Sequence, residues 1–167
     1  MRKMTEDNLK AAFAGESQAH MKYAAFAEKA KQENYPNVAR LFRANSFAEQ
    51  VHATNHLKTL SGIGTTERNL EDAIEGETFE VDEMYPAYSQ VAQEQEEKGA
   101  ETMTKWALAA EKVHAELYRK AKEAISQGRD VAIEAIHVCQ VCGFTVEGEA
   151  PDVCPICGSP KEKFKKF

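Results

Sequence analysis

The hexapeptide AEQVHA, Ala48 to Ala53, returns almost unchanged as AEKVHA, Ala110 to Ala115, 62 positions later. LKAAFAGES, Leu9 to Ser17, is matched by LEDAIEGET, Leu70 to Thr78, 61 positions later, and Tyr23 and Tyr85 are again 62 apart. A chain that repeats itself in this way is two copies of one unit, and the spacing of its apolar residues makes each unit a helical hairpin. Over residues 5–33, Leu9, Ala12, Phe13 and Tyr23 keep helical intervals behind a candidate N-cap, Thr5, and the first-turn acids Glu6 and Asp7. Asn34-Tyr35-Pro36 breaks that run. Val38, Leu41, Phe42 and Val51 then carry a second helix over 37–60, stopped by the SGIG of Ser61 to Gly64. A third helix is expected over 67–97, kinked at Pro86. Gly99 marks a turn, and a fourth helix over 102–126 ends at Gly128. Met84, Met103 and Trp106 read as core. The expected organisation is mainly α: a four-helix bundle over residues 1–134, then a small C-terminal module over 135–167.

Bulk properties exclude several classes of function. At 167 residues the chain suits one domain plus an appendage, and its net charge of −6 argues against nucleic acid as a partner, since phosphate binding needs a basic face. No stretch approaches the roughly 20 apolar residues that span a bilayer. The start, MRKMTEDNLK, has no apolar run behind its basic residues, so neither a leader nor a membrane is expected. All four cysteines fall in the last 29 residues as two CxxC pairs, which suits a metal site in a reducing cytoplasm.

The repeat also duplicates chemistry. In Glu49-x-x-His52 and Glu111-x-x-His114 the two donors are one helical turn apart on one face. Glu16 and Glu77 follow glycines at equivalent points of the other two helices. One Glu from each of two helices, plus Glu-x-x-His from each of the other two, is the donor set of ferritin-like di-iron and di-manganese bundles. Carboxylates can bridge two hard cations, and each imidazole can cap one. A lone Glu-x-x-His is more often a solvated face; two copies in one frame, each matched to a Gly-Glu, make the metal reading decisive for Glu16, Glu49, His52, Glu77, Glu111 and His114. Glu80, one turn after Glu77, has no echo in the first copy, where Ala19 stands. It is either a solvated acid or a seventh ligand. Glu83, His20 and His56 read as surface groups or as neighbours of ligands. Tyr23 and Tyr85 are echoed, as donors of hydrogen bonds to terminal carboxylates or as plain core aromatics.

Cys139-x-x-Cys142 and Cys154-x-x-Cys157 form two knuckles able to enclose one tetrahedral ion, zinc or iron. A 33-residue tail has little core, so the ion supplies its folding energy. The surrounding residues, CGF followed by APDVCPICGSPKEKF, resemble the iron-binding knuckles of rubredoxin. Together with AGES, AEQVHA, GETFEVDEMYP and AEKVHAELY, the whole chain resembles the rubrerythrin family.

That resemblance implies a ferritin-like four-helix bundle holding two irons, a rubredoxin-like module holding a third, and peroxidase activity in oxidative-stress defence. It implies Glu16, Glu49, His52, Glu77, Glu80, Glu111 and His114 as di-iron ligands and Cys139, Cys142, Cys154 and Cys157 as ligands of the single iron, with manganese or zinc as possible substitutes. It further implies that Glu80 and His52 exchange on one iron with its oxidation state. The expected substrate is hydrogen peroxide, and the expected electron donor is a rubredoxin or an NAD(P)H-dependent reductase, with the cysteine module as relay. The alternatives are a ferroxidase or O₂-reducing oxidase, iron storage, and a zinc-ribbon interaction module.

One expectation comes from geometry. The second and third helices of a ferritin-like bundle run parallel. At 1.5 Å per residue the link from Leu60 to Glu67 must climb roughly 27 Å, but its seven steps reach at most about 25 Å. A homodimer in which helices one and two of one chain pack with three and four of the other removes the conflict.

Overall fold

The computed structural model describes residues 1–167, and the chain divides into two compact units, Met1–Gly64 and Thr65–Phe167. In the first unit α1 (Lys3–Gln32) and α2 (Pro36–Thr59) form an antiparallel hairpin. Their seam is made of small residues: Ala27, Ala30, Ala39, Ser46 and Ala53 are all buried. Small side chains let two helix backbones approach closely, and polar groups staple them. His20 Nδ1 lies 2.8 Å from the Ser46 carbonyl oxygen, and the Ser46 hydroxyl donates to the His20 carbonyl at 2.8 Å. His20 is thus a cross-helix staple. Tyr23, Phe26 and Phe42 form an aromatic cluster on the same hairpin, with centroids 5.5–6.3 Å apart.

In the second unit α3 (Thr66–Phe79) runs into a single π-helical turn (Glu80–Met84) and then α4 (Tyr85–Glu94), and both α3 and α4 pack on α5 (Lys98–Ser126). The interruption expected at Pro86 is therefore the π turn before it; Pro86 sits at the start of α4, where its missing N–H costs nothing. This turn accounts for the drift of the repeat. The copies are 61 residues apart at Ser17 and Thr78 but 62 apart at Tyr23 and Tyr85. A π turn closes hydrogen bonds one residue further along than an α turn, so it absorbs the one extra residue without breaking the helix.

Helix ends also differ from expectation. α1 begins at Lys3 with Arg2 at the cap position and no side-chain cap, and Thr5 lies inside the helix. Gly99 is likewise inside α5. The turn before it is made by Glu96 at φ 58°, with Glu97 N–H bonded to the Ala92 carbonyl. Asn34 (φ 63°), Ser61 (φ 58°) and Gly128 (φ 73°) close α1, α2 and α5 by the same left-handed residue and the same reach-back bond. Met103, expected in the core, is exposed.

After α5 the chain forms a three-stranded antiparallel sheet of order β2-β1-β3, with β1 (Ile136–Cys139) between β2 (Thr145–Glu147) and β3 (Phe164–Lys166). It is anchored to α5 by Lys120 Nζ, 2.7 Å from both Glu147 carboxylate oxygens. A cavity of about 430 Å³ lies between sheet and helices, lined by apolar side chains that include Leu70, Leu117, Ile136, Val138 and Phe167. No helix is long and apolar enough to cross a membrane.

Candidate metal centres

The four cysteines converge. Both knuckles close the same way, Gly143 N–H to the Cys139 carbonyl at 2.9 Å and Gly158 N–H to the Cys154 carbonyl at 3.0 Å. Gly143 and Gly158 have φ of 80° and 74°, a region that a side chain at Cβ disfavours. Cys139 and Cys157 sulfurs lie 3.7 Å apart, and Cys142 and Cys154 sulfurs 3.6 Å apart. Sulfurs about 2.3 Å from a shared ion in a tetrahedron are about 3.8 Å apart, whereas a disulfide is about 2.05 Å. The cage fits one tetrahedral metal ion. Burial pushes the Cys142 thiol well up. At Cys157 burial also pushes upward, but hydrogen bonding with Ser159 and the neighbouring thiols outweighs it and brings the thiol down to about 6.

Each helical unit brings one carboxylate–imidazole set together. In the first, Glu16, Glu49 and His52 have donor atoms within 4.8 Å of one another, with His52 Nδ1 3.1 Å from Glu49 Oε2 and 4.0 Å from Glu16 Oε1. In the second, Glu77, Glu111 and His114 do the same, with His114 Nδ1 2.6 Å from Glu111 Oε2 and 3.9 Å from Glu77 Oε2. Adjacent donors about 2.1 Å from one ion lie about 3 Å apart, so both sets have the size of a coordination shell. The i, i+3 spacing on α2 and α5 sets each short Glu–His distance, while α1 and α3 bring Glu16 and Glu77 from across a seam.

Electrostatics point the same way. Glu77 is pushed up to about 7, first by burial and then by the carboxylates of Glu111 and Glu80. Glu80 is raised by burial and by Glu111, and Glu16 by its contact with Glu49. Crowded carboxylates hold protons in place of a cation, and a cation of charge two or three would relieve them. Tyr85, at the end of the π turn, is raised by burial and by Glu80, Glu111 and Glu77, which places it against this cluster. Tyr23 belongs to the aromatic cluster of the hairpin. His56 is close enough to Glu16 to stabilise its charge, and Glu83 is on the surface.

A sequence model described as Rubrerythrin matches residues 7–122, and one described as Rubrerythrin, rubredoxin-like domain matches residues 137–165. The chain belongs to the rubrerythrin family. It is 42% identical to Rubrerythrin-2 of Clostridium acetobutylicum over 98% of this chain and 97% of that one. Its identity to nigerythrin of Nitratidesulfovibrio vulgaris is 36%, over 98% and 86%. Among solved structures it is similar to the fully reduced, all-ferrous state of nigerythrin, with a TM-score of 0.56 at 36% identity over 98% of this chain and 86% of that one. The fold is accordingly ferritin-like and mainly α with a small rubredoxin-like region, in a family of oxidoreductases. The donor sets of a di-iron carboxylate site and of a four-cysteine site are both present, consistent with three irons per chain.

Two features of the site have weak sequence signals. The π turn under Glu80 was signalled only by the one-residue drift of the repeat. The other is Thr145, whose hydroxyl lies 2.8 Å from His114 Nε2; nothing in the knuckle pattern singles it out.

Proposed function

We propose that the chain is a peroxidase that reduces hydrogen peroxide to water, with its C-terminal module relaying electrons from an external donor such as a rubredoxin or an NAD(P)H-dependent reductase. Its functional regions are a ferritin-like di-iron part, residues 1–134, and a rubredoxin-like part, residues 135–167. Glu16, Glu49, His52, Glu77, Glu80, Glu111 and His114 would hold the iron pair, with Glu49 and Glu111 shared between the two ions, and Cys139, Cys142, Cys154 and Cys157 would hold the third ion. The observation that carries the reading is the presence, in one chain, of two matched carboxylate–imidazole sets and a four-thiol cage.

Reduction of H₂O₂ to two waters consumes two electrons and two protons, and the iron pair, when bound, supplies one electron per ion. Glu77, held up to about 7 in the metal-free chain, would give up its proton as an ion binds. The two donors proposed to alternate on one ion differ in setting: Glu80 rides on the π turn, and the His52 side chain is 55% exposed. The thiol cage would hold an ion in one tetrahedral geometry, and little rearrangement would then oppose electron transfer. Anaerobic reduction followed by one equivalent of peroxide or, separately, air tests the reading. Much faster reoxidation by peroxide is expected; faster reoxidation by air would favour an O₂-reducing oxidase or ferroxidase instead.

Two chains are proposed to complete each iron pair as a helix-swapped homodimer. The link between Thr59 and Thr66 leaves the reach argument intact. A two-helix unit that leaves Met21, Leu41 and Phe47 exposed lacks a core of its own. The proposed location is the cytoplasm.

A further inference from the structure

His114 has two ring nitrogens, and the structure gives each a different partner. Nδ1 is 2.6 Å from Glu111 Oε2, while Nε2 is 2.8 Å from Thr145 Oγ1. Thr145 opens β2, three residues after Cys142, and is 5% exposed. Its hydroxyl also lies 3.2 Å from the Gly143 carbonyl oxygen within the first cysteine knuckle.

These contacts tie Nε2 to the cysteine module and turn Nδ1 toward the Glu111 and Glu77 carboxylates. A carbonyl oxygen can only accept, so when the Thr145 hydroxyl donates to Gly143, Oγ1 has only lone pairs to offer His114, and Nε2 is then the nitrogen that carries the hydrogen. That tautomer leaves Nδ1 bare toward the carboxylates, where a metal ion would sit between them. The cavity beside the ring is lined mainly by apolar side chains, among them Leu117, Ile136, Val138 and Phe167.

We propose that Thr145 is a positioning residue through which the cysteine module selects the tautomer of His114: its hydroxyl accepts the Nε2 hydrogen, so Nδ1 is the nitrogen offered to the metal. The proposal rests on the reading of His114 as an iron ligand and adds to it a physical link between the two centres. The link runs from Cys142 along the backbone to the Gly143 carbonyl, through two hydrogen bonds, to the His114 ring. Because the module must be folded around its own ion to present Thr145, loading one centre strengthens the other. By linkage the reverse holds too. Partners that orient metal-binding histidines typically contribute about 10–100-fold in affinity.

The test uses the full chain loaded with zinc, with ¹⁵N-labelled histidines, in the wild type, Thr145→Val and Thr145→Ser. In the wild type, long-range ¹H–¹⁵N spectra should show His114 with a slowly exchanging Nε2–H and a metal-shifted Nδ1. Thr145→Ser keeps that signature. Thr145→Val loses the protected hydrogen, and cobalt binding to the carboxylate–imidazole site weakens about 10-fold, while the thiolate-to-cobalt band shows the module still loaded. Metal on Nε2 in the wild type would overturn the proposal, a result that needs no variant to fold. So would a Val variant with unchanged proton protection and cobalt affinity, or a Ser variant that falls as far as Val. If neither ring nitrogen shifts on loading, the ligand reading of His114 fails as well. No peroxide enters these measurements, so the proposal can fail while the peroxidase reading stands, and the reverse.

Discussion

If each iron pair takes one donor set from each of two chains, two inactivated variants should repair one another. Glu49→Ala removes a donor from the Glu16–Glu49–His52 set, and Glu111→Ala removes one from the Glu77–Glu111–His114 set. Each variant alone should be inactive, because both centres of its homodimer lack a bridging carboxylate. In a mixed swapped dimer both lesions fall in one centre. The other combines the intact first set of the Glu111→Ala chain with the intact second set of the Glu49→Ala chain. Random pairing makes half of all dimers mixed, each with one working centre of two, so co-expression should restore about a quarter of wild-type peroxidase activity. The assay is NADH-coupled peroxide turnover on the whole co-expressed pool, with no selection for mixed dimers and with iron counted per dimer. The structural reason is the link of seven steps between Thr59 and Thr66: about 25 Å of reach against roughly 27 Å of climb. Activity in the mixed sample no greater than in either variant alone, with both chains present and folded, would refute the swap.

Other expectations follow from local chemistry. Glu77 sits at about 7 against an ordinary 4.5, so below pH 7 an incoming ion must displace its proton. Cobalt affinity of the second set should rise about tenfold per pH unit up to neutrality and then level off. The metal-free protein should show the opposite trend: a carboxyl raised on folding adds stability on the acid side, lost as pH climbs from about 4.5 toward 7, which thermal melts at several pH values will follow. Ala27, fully buried in the small-residue seam of the hairpin, should not tolerate Ala27→Leu, which is expected to cost about 1–3 kcal/mol by denaturant unfolding. Glu96→Gly, at φ 58° in the turn before α5, should stabilise by about 1 kcal/mol in the same assay. Cys154→Ser should unfold the C-terminal module while leaving far-ultraviolet helix dichroism in place. A four-ligand ion contributes on the order of 10 kcal/mol, far more than a sheet of three short strands replaces.

Much of the chain was legible before its structure, for physical reasons. The two copies of A-E-x-V-H-A mark both donor helices, since i, i+3 spacing puts Glu and His on one face wherever a helix forms, and the structure gathers both sets as that spacing requires. Cysteine spacing defines a cage almost independently of its surroundings. Helix ends were harder to read. Four helices close with a left-handed residue, and only one of the four is glycine, so Glu96 gave no signal, and Gly99 drew attention to a turn three residues upstream. The π turn was masked by Pro86, a stronger breaker nearby, although the shift from 61 to 62 in the repeat recorded it. Thr145 was out of reach for a different reason. Its role depends on where β2 meets α5, and no periodicity encodes a contact 31 residues apart.

The central claim is that these carboxylates and imidazoles hold a metal pair separate from the thiolate ion. Mössbauer spectroscopy of protein loaded with ⁵⁷Fe measures this directly. The account predicts about one-third of the iron in a tetrahedral four-sulfur environment and two-thirds as an oxygen- and nitrogen-ligated, magnetically coupled pair, the latter lost in Glu49→Ala or Glu111→Ala. Absorption confined to sulfur-bound iron, and unchanged by those substitutions, would contradict it.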